Sequence, residues 1–117
     1  MEQQTILIVD DDREIVRVIS KILELEGYKT LKAYDGLEAL DMLVGNVVHL
    51  IMIDIMMPKM NGLAAVMKIR ETNNIPIIIL SAKTEETDKV LGLSMGADDY
   101  ISKPFNTQEM IARVKAQ

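Results

Sequence analysis

Three short runs constrain the fold of this chain more than anything else in it. Thr5-Ile6-Leu7-Ile8-Val9, the stretch Val47 to Ile53 with only His49 interrupting, and Pro76-Ile77-Ile78-Ile79-Leu80 are apolar without alternation. A strand with one face in water alternates polar and apolar side chains, whereas a strand covered on both faces does not. Thr30-Leu31-Lys32-Ala33-Tyr34 and Asp99-Tyr100-Ile101-Ser102 read as weaker strands of the same set.

Helical patterns separate the runs. Ile15, Val16, Ile19, Ile22 and Leu23 share one face of a first helix, with Asp11 and Glu14 at capping-box spacing and Gly27 as its stop. Asp35 and Glu38 open a second helix carrying Leu37, Leu40, Leu43 and Val44. Pro58 and Gly62 bracket a loop, and Leu63, Val66, Met67 and Ile69 mark a third helix. Glu85 to Met95 reads as a weak fourth, with a thin apolar face (Val90, Leu91) and Gly92 inside it. Asn106, with Glu109 in the box position, caps a last helix with Met110, Ile111 and Val114 inward. Five strands alternating with five helices predict one α/β domain over residues 1–117. Its sheet is parallel, with right-handed crossovers.

Composition narrows the function. The chain is 49% hydrophobic and 3% aromatic, so its core is Ile, Leu, Val and Met. A net charge of −5 argues against a direct nucleic-acid binder, since phosphate contacts need a basic face. With no cysteine, thiol catalysis, disulfides and Cys-based metal sites are excluded. No apolar run approaches the roughly 20 residues that span a bilayer, and the Met1-Glu2-Gln3-Gln4 start, with no basic residue, leads to the expectation of no signal peptide. No membrane partner and a cytoplasmic location are expected. The last helix reaches Gln117 without a stop signal, so a longer parent chain is expected.

In an open parallel α/β sheet, functional groups gather outside the carboxyl ends of the strands. Here those ends carry Asp10-Asp11-Asp12, Asp54, Ser81 and Lys103. Each has a structural alternative. The aspartate run could cap a helix, Asp54 and Ser81 could hold turns, and Lys103 could be a solvated surface charge. One cap accounts for one carboxylate, and three in a row exceed that need. Carboxylates of Asp10, Asp11 and Asp54 meeting at one edge would repel, and a hard dication relieves the repulsion. All-oxygen ligation favours Mg²⁺, with Mn²⁺ as the alternative. A metal beside a carboxylate, with an ammonium and a hydroxyl near, suits phosphoryl transfer to that carboxylate. His49, the single histidine, lies far from this edge and reads as structural.

Four motifs together resemble the receiver domain of bacterial two-component response regulators. They are Ile6-Leu7-Ile8-Val9-Asp10-Asp11-Asp12, Asp54-Ile55-Met56-Met57-Pro58-Lys59-Met60-Asn61-Gly62, Leu80-Ser81-Ala82, and Gly96-Ala97-Asp98-Asp99-Tyr100-Ile101-Ser102-Lys103-Pro104-Phe105. The resemblance implies a flavodoxin-like (βα)5 fold with strand order 2-1-3-4-5. It implies Asp54 as phosphoacceptor, served by a partner histidine kinase. Asp10, Asp11, Asp54 and the backbone carbonyl of Met56 would hold Mg²⁺. Ser81 would be the hydroxyl switch residue, Tyr100 the switch aromatic and Lys103 the phosphate-binding lysine, with a cis Lys103–Pro104 bond. Asp12 is not expected to be a ligand. The glycine-to-phenylalanine stretch resembles the winged-helix (OmpR/PhoB-like) subfamily, whose members bind DNA through a C-terminal domain. That subfamily forms homodimers on phosphorylation through the fourth helix, fifth strand and last helix, where Lys89, Asp98, Asp99, Glu109, Arg113 and Lys115 match the charged positions. Two rivals fit less well. A Mg²⁺-dependent phosphohydrolase would commonly carry a second Asp two residues past its nucleophile, where this chain has Met56. A flavin binder needs a phosphate-cradling loop where this chain has three aspartates. A phosphoacceptor switch, not a turnover enzyme, is therefore expected.

Overall fold

Val9 lies beside Ala33 on one side and Ile53 on the other, so the first strand is an interior strand. The structure, a computed structural model, describes residues 3–57, 62–82, 90 and 92–117. Among the described residues there are five strands: β1 (Thr5–Val9), β2 (Lys29–Ala33), β3 (Leu50–Ile53), β4 (Ile77–Ser81) and β5 (Asp99–Ser102). They pair in parallel in the order β2-β1-β3-β4-β5, as the resemblance implied. The helices with described bounds are α1 (Arg13–Leu25), α2 (Gly36–Gly45), α3 (Gly62–Arg70) and the C-terminal helix (Thr107–Ala116). Of the expected fourth helix, Val90 and residues 92–94 are helical, and most of the rest lies outside the described residues.

The sheet separates two apolar cores, and strand alternation decides which residue enters which. Leu7, Val9, Ile51, Ile53, Ile77 and Ile79 face α2 and α3, meeting Ala39, Ala65, Val66 and Ile69. Ile6, Ile8, Leu50, Met52, Ile78 and Leu80 face α1 and the C-terminal helix, meeting Val16, Ile19, Leu23, Met110 and Val114. Removing each such side chain from water contributes about 1.5–3 kcal/mol. That explains why residues 6–9, 50–53 and 77–80 carry no polar side chain on either face.

Three local expectations need correction. The α1 cap is Asp12, not Asp11: its Oδ1 accepts the N–H groups of Glu14 at 3.0 Å and Ile15 at 3.3 Å. Helical geometry aims the cap side chain at N–H groups two and three residues on, and Asp11 is one residue too early. In α2, Leu37 and Val44 point outward, and Ala39, Leu40 and Leu43 supply the contacts. Met67 of α3 is likewise exposed. The third strand starts at Leu50, because His49 makes a different connection. Its N–H donates to Thr5 O, and its Nδ1 accepts the Thr5 N–H, both at 2.9 Å. The histidine thus clips the start of β1 to the entry of β3, the structural role expected of it.

The other caps follow the sequence. Asp35 accepts from Glu38 N–H at 2.8 Å, and Asn106 accepts from Glu109 N–H at 2.9 Å. Gly27 takes the left-handed φ of +96° that ends α1.

Candidate functional site

The strand order puts the carboxyl ends of β1 and β3 side by side, at the point where the chain reverses direction across the sheet. Asp10 and Asp54 each follow one of these strands and are tied to the sheet by their own backbones. Asp10 N–H donates to Ala33 O at 3.1 Å, and Asp54 N–H donates to Val9 O at 2.9 Å. Both are buried, at 2% and 5% exposure, which no isolated carboxylate tolerates without partners.

The partners are local N–H groups and one distant lysine. Asp10 Oδ1 accepts the Asp12 N–H at 3.0 Å, and Asp54 Oδ1 accepts the Met56 N–H at 2.9 Å. Lys103 reaches in from the end of β5 and donates to Asp10 Oδ2 at 2.7 Å and to Asp54 Oδ2 at 3.0 Å. Its backbone N–H donates to Ser81 O at 2.8 Å, joining the ends of β4 and β5. The Lys103–Pro104 bond is cis, as the resemblance implied. Ser81 is fully buried at the same edge.

Asp11 is exposed, yet its carboxylate lies with those of Asp10 and Asp54 within 4.8 Å of one another. The corrected cap explains this: Asp12 holds the helix, which leaves Asp11 to the cluster. One ammonium against three carboxylates leaves the cluster net negative. Burial pushes the Asp10 carboxyl above its ordinary 3.8, and the nearby Asp54 charge adds to it, against the lowering effect of Lys103 and the Asp12 N–H. Burial alone would depress Lys103, but its hydrogen bonds and charge contacts with the two aspartates outweigh it and hold the ammonium above its ordinary 10.5. Buried, oxygen-only, incompletely neutralised donors fit a hard dication.

Tyr100 pairs in register with Ile79, and its ring is buried, at 7% exposure, in the core that also contains Ala97. Of the charged positions expected on an output face, Asp99, Glu109 and Arg113 come together. Arg113 donates to both Asp99 oxygens at 2.8 and 2.9 Å and stands 3.9 Å from Glu109. Asp98 and Lys115 do not join them. Asp98 pairs with Arg70 at 2.9 Å and Lys115 with Glu26 at 3.0 Å. Lys89 lies outside the described residues, as do Pro58 to Asn61.

Two contributors escaped the sequence reading. Gly62 begins α3 directly against the Asp54 loop. A Cβ there would stand 2.1 Å from Asp54 O and 2.5 Å from Ile55 Cα. A glycine four residues past a proline signalled only a turn. Arg70 donates to Gly96 O at 2.9 Å, Ile75 O at 2.7 Å, Asn73 O at 3.3 Å and Asp98 Oδ2 at 2.9 Å. No motif advertises an arginine whose partners are mostly carbonyls.

Comparison with known proteins agrees with this geometry. Residues 6–115 match the model of the response regulator receiver domain family. The transcriptional regulatory protein CpxR of Escherichia coli K12 is 47% identical over 111 residues, covering 95% of this chain and 47% of its own. The response regulator GtcR of Aneurinibacillus migulanus is 46% identical over 114 residues, covering 97% of this chain and 47% of its own. The chain thus spans about half the length of these curated relatives. Among solved structures, the Francisella response regulator 1452 receiver domain is 40% identical, with a TM-score of 0.92 over 97% of this chain and 95% of that one.

Proposed function

The chain belongs to the response regulator receiver domain family, and from that premise we propose that it is a phosphorylation-driven switch with Asp54 as its phosphoacceptor. The observation that carries this reading is Lys103, which places one ammonium on both Asp10 and Asp54 at the carboxyl edge.

In this reading an Asp54 carboxylate oxygen takes the phosphoryl group from a phosphohistidine of a partner kinase. The donor N–P bond breaks as the O–P bond forms, and the imidazole leaves with the electron pair. The Met56 N–H holds Asp54 Oδ1 at 2.9 Å and so fixes the carboxylate plane. Lys103 follows the new charge and binds phosphoryl oxygen as a point charge. The Ser81 hydroxyl donates one hydrogen bond to it. Asp10, Asp11, Asp54 and the Met56 carbonyl would hold Mg²⁺, with Mn²⁺ as substitute. When bound, the ion neutralises the carboxylates and phosphoryl oxygens. The residues supply positioning and electrostatics, which is most of what phosphoryl transfer needs, and the domain does not act as a turnover enzyme.

The output is a population shift between two arrangements of the face that includes Tyr100. Asp99, Glu109 and Arg113 lie on that face, the resemblance adds Lys89 to it, and the reading makes it a homodimer contact. Exposed pairs contribute only about 0–1 kcal/mol each, so they set register more than affinity. Asp98 and Lys115 join only if they leave Arg70 and Glu26. The name of the transcriptional regulatory protein CpxR supports transcription regulation as the output, and the reading adds a cytoplasmic location and DNA binding through a further C-terminal domain. No described helix is long and apolar enough to cross a membrane.

Acetyl phosphate with Mg²⁺ is expected to add one phosphoryl group to the wild type and none to Asp54→Asn, read by intact mass. Equal labelling of the two proteins sinks the assignment.

A further inference from the structure

The strand order that assembles the carboxyl edge also gathers residues at the opposite one. There the first residues of β2, β1 and β3 lie side by side, and a groove of about 460 Å³ opens among them. Lys29 and Thr5, register partners at the starts of β2 and β1, line it together with His49, the residue before β3. Leu31 and Val47 supply its apolar part, and Val47 is 77% exposed. Small-molecule clefts run from roughly 300 to 1,000 Å³, so the volume suits one small organic ligand.

The polar groups of the groove are sorted into donors and acceptors by the bonds they already make. His49 Nδ1 accepts the Thr5 N–H at 2.9 Å, so the neutral ring carries its proton on Nε2. That Nε2–H meets no protein acceptor among the described residues, and the Lys29 ammonium meets no carboxylate among them. Gln3 and Asn46 are sorted the other way. Gln3 Nε2 donates to Gly27 O at 3.1 Å and Asn46 Nδ2 to Met42 O at 2.8 Å, which leaves the amide oxygen of each as an acceptor. Among the described residues no carboxylate lines the groove, in a chain with 18 acidic residues against 13 basic ones. Its local sign is therefore opposite to that of the whole molecule and of the acidic edge.

We propose that this groove is a binding site for a small organic anion. Lys29 and the His49 Nε2–H hold a carboxylate or a phosphate monoester through charge-assisted hydrogen bonds. A hydroxyl or amino group elsewhere on the ligand donates to the Gln3 or Asn46 amide oxygen, and the carbon chain lies against Leu31 and Val47. Lysine binds either anion as a point charge, so the groove selects for charge first and for the spacing of the donor second. The bound anion links β2 to the entry of β3 across β1. The site shares no residue with the acidic edge and does not rest on the reading of Asp54.

The test is an amide and imidazole NMR titration of the 117-residue chain at constant ionic strength, with three small probes: lactate, glycerol 1-phosphate and neutral 1,2-propanediol. At least one of the two anions is expected to give saturable shifts at the Lys29 and Thr5 amides and the His49 ring, with a millimolar Kd, and the diol none. The tighter anion identifies carboxylate or phosphate as the preferred group. Lys29→Gln should weaken binding about tenfold. His49→Asn retains an oxygen where Nδ1 accepts the Thr5 N–H but deletes the Nε2–H, so it should weaken binding similarly while leaving the free-state Thr5 amide resonance in place. Should His49→Asn not fold, Lys29→Gln carries the test. Asp54→Asn should bind as wild type does, which separates the groove from the acidic edge. Shifts that fail to saturate with both anions overturn the proposal. Equal binding of the diol, wild-type affinity in Lys29→Gln or in a folded His49→Asn, or loss of binding in Asp54→Asn overturns it too.

Discussion

Lys103 Nζ sits 2.7 Å from Asp10 Oδ2, yet burial holds the Asp10 carboxyl above its ordinary 3.8. Burial outweighs the ammonium. Asp10 is therefore a group whose ionisation works against folding when no metal is present.

The sign of the pH effect follows. A carboxyl raised in the folded state favours folding below its ordinary value of 3.8 and loses that contribution as pH rises through the raised value. In metal-free buffer at neutral pH, Asp10→Asn is expected to be more stable than wild type. The difference should close as pH falls toward 3.8. Urea midpoints at neutral and acid pH, with chelator present, check this. A less stable Asp10→Asn at neutral pH refutes it.

Lys103 neutralises the same oxygens that would hold a dication. Lys103→Met should therefore bind Mg²⁺ more tightly, roughly tenfold or about 1.4 kcal/mol, in a calorimetric titration. Weaker binding would show that the lysine organises the site instead of competing for it. In the wild type, the stabilising contribution of Lys103 is present below its ordinary 10.5 and is lost as pH rises through the raised folded value.

Gly62 has Asp54 O where a Cβ would lie, at 2.1 Å. The obstacle is backbone, so it cannot swing aside. Gly62→Ala is expected to cost about 2–3 kcal/mol in chemical denaturation and to slow acetyl phosphate labelling by displacing the Asp54 loop. Wild-type stability and labelling together would show that the loop relaxes freely.

Ser20 is buried in α1, and its hydroxyl has no hydrogen-bond partner among the described residues. Replacing an unsatisfied buried hydroxyl by the best helix former should raise stability. Ser20→Ala is expected to gain about 1 kcal/mol, visible as a higher urea midpoint with unchanged slope. A lower midpoint would mean that the hydroxyl is satisfied in solution.

The sheet was legible because Ile6–Val9, Leu50–Ile53 and Ile77–Leu80 are apolar on both faces, and only a doubly covered strand needs that. Asp10, Asp11, Asp54, Ser81 and Lys103 were legible because strand ends in such a sheet share one edge. The face of α2 was not. Leu37, Ala39, Leu40, Leu43 and Val44 are apolar nearly all round, and the helix buries its small residues, Gly36 and Ala39. Large side chains were the wrong guide there. Asp11 and Asp12 are chemically equal as caps, and backbone geometry alone separates them. Arg70 contacts Gly96 and Asp98 from 26 and 28 residues away, a proximity that only the folded chain creates.

Arg70 bonds chiefly to carbonyl oxygens, which every residue type carries. The Lys103 ammonium, at the opposite rim of the sheet, binds side chains alone. Apart from Gly96 and Asp98, the Arg70 rim is therefore indifferent to the identity of its neighbours, while the other changes character with each substitution. Descendants of such a chain can retune the acidic rim one residue at a time on a frame that barely registers the change.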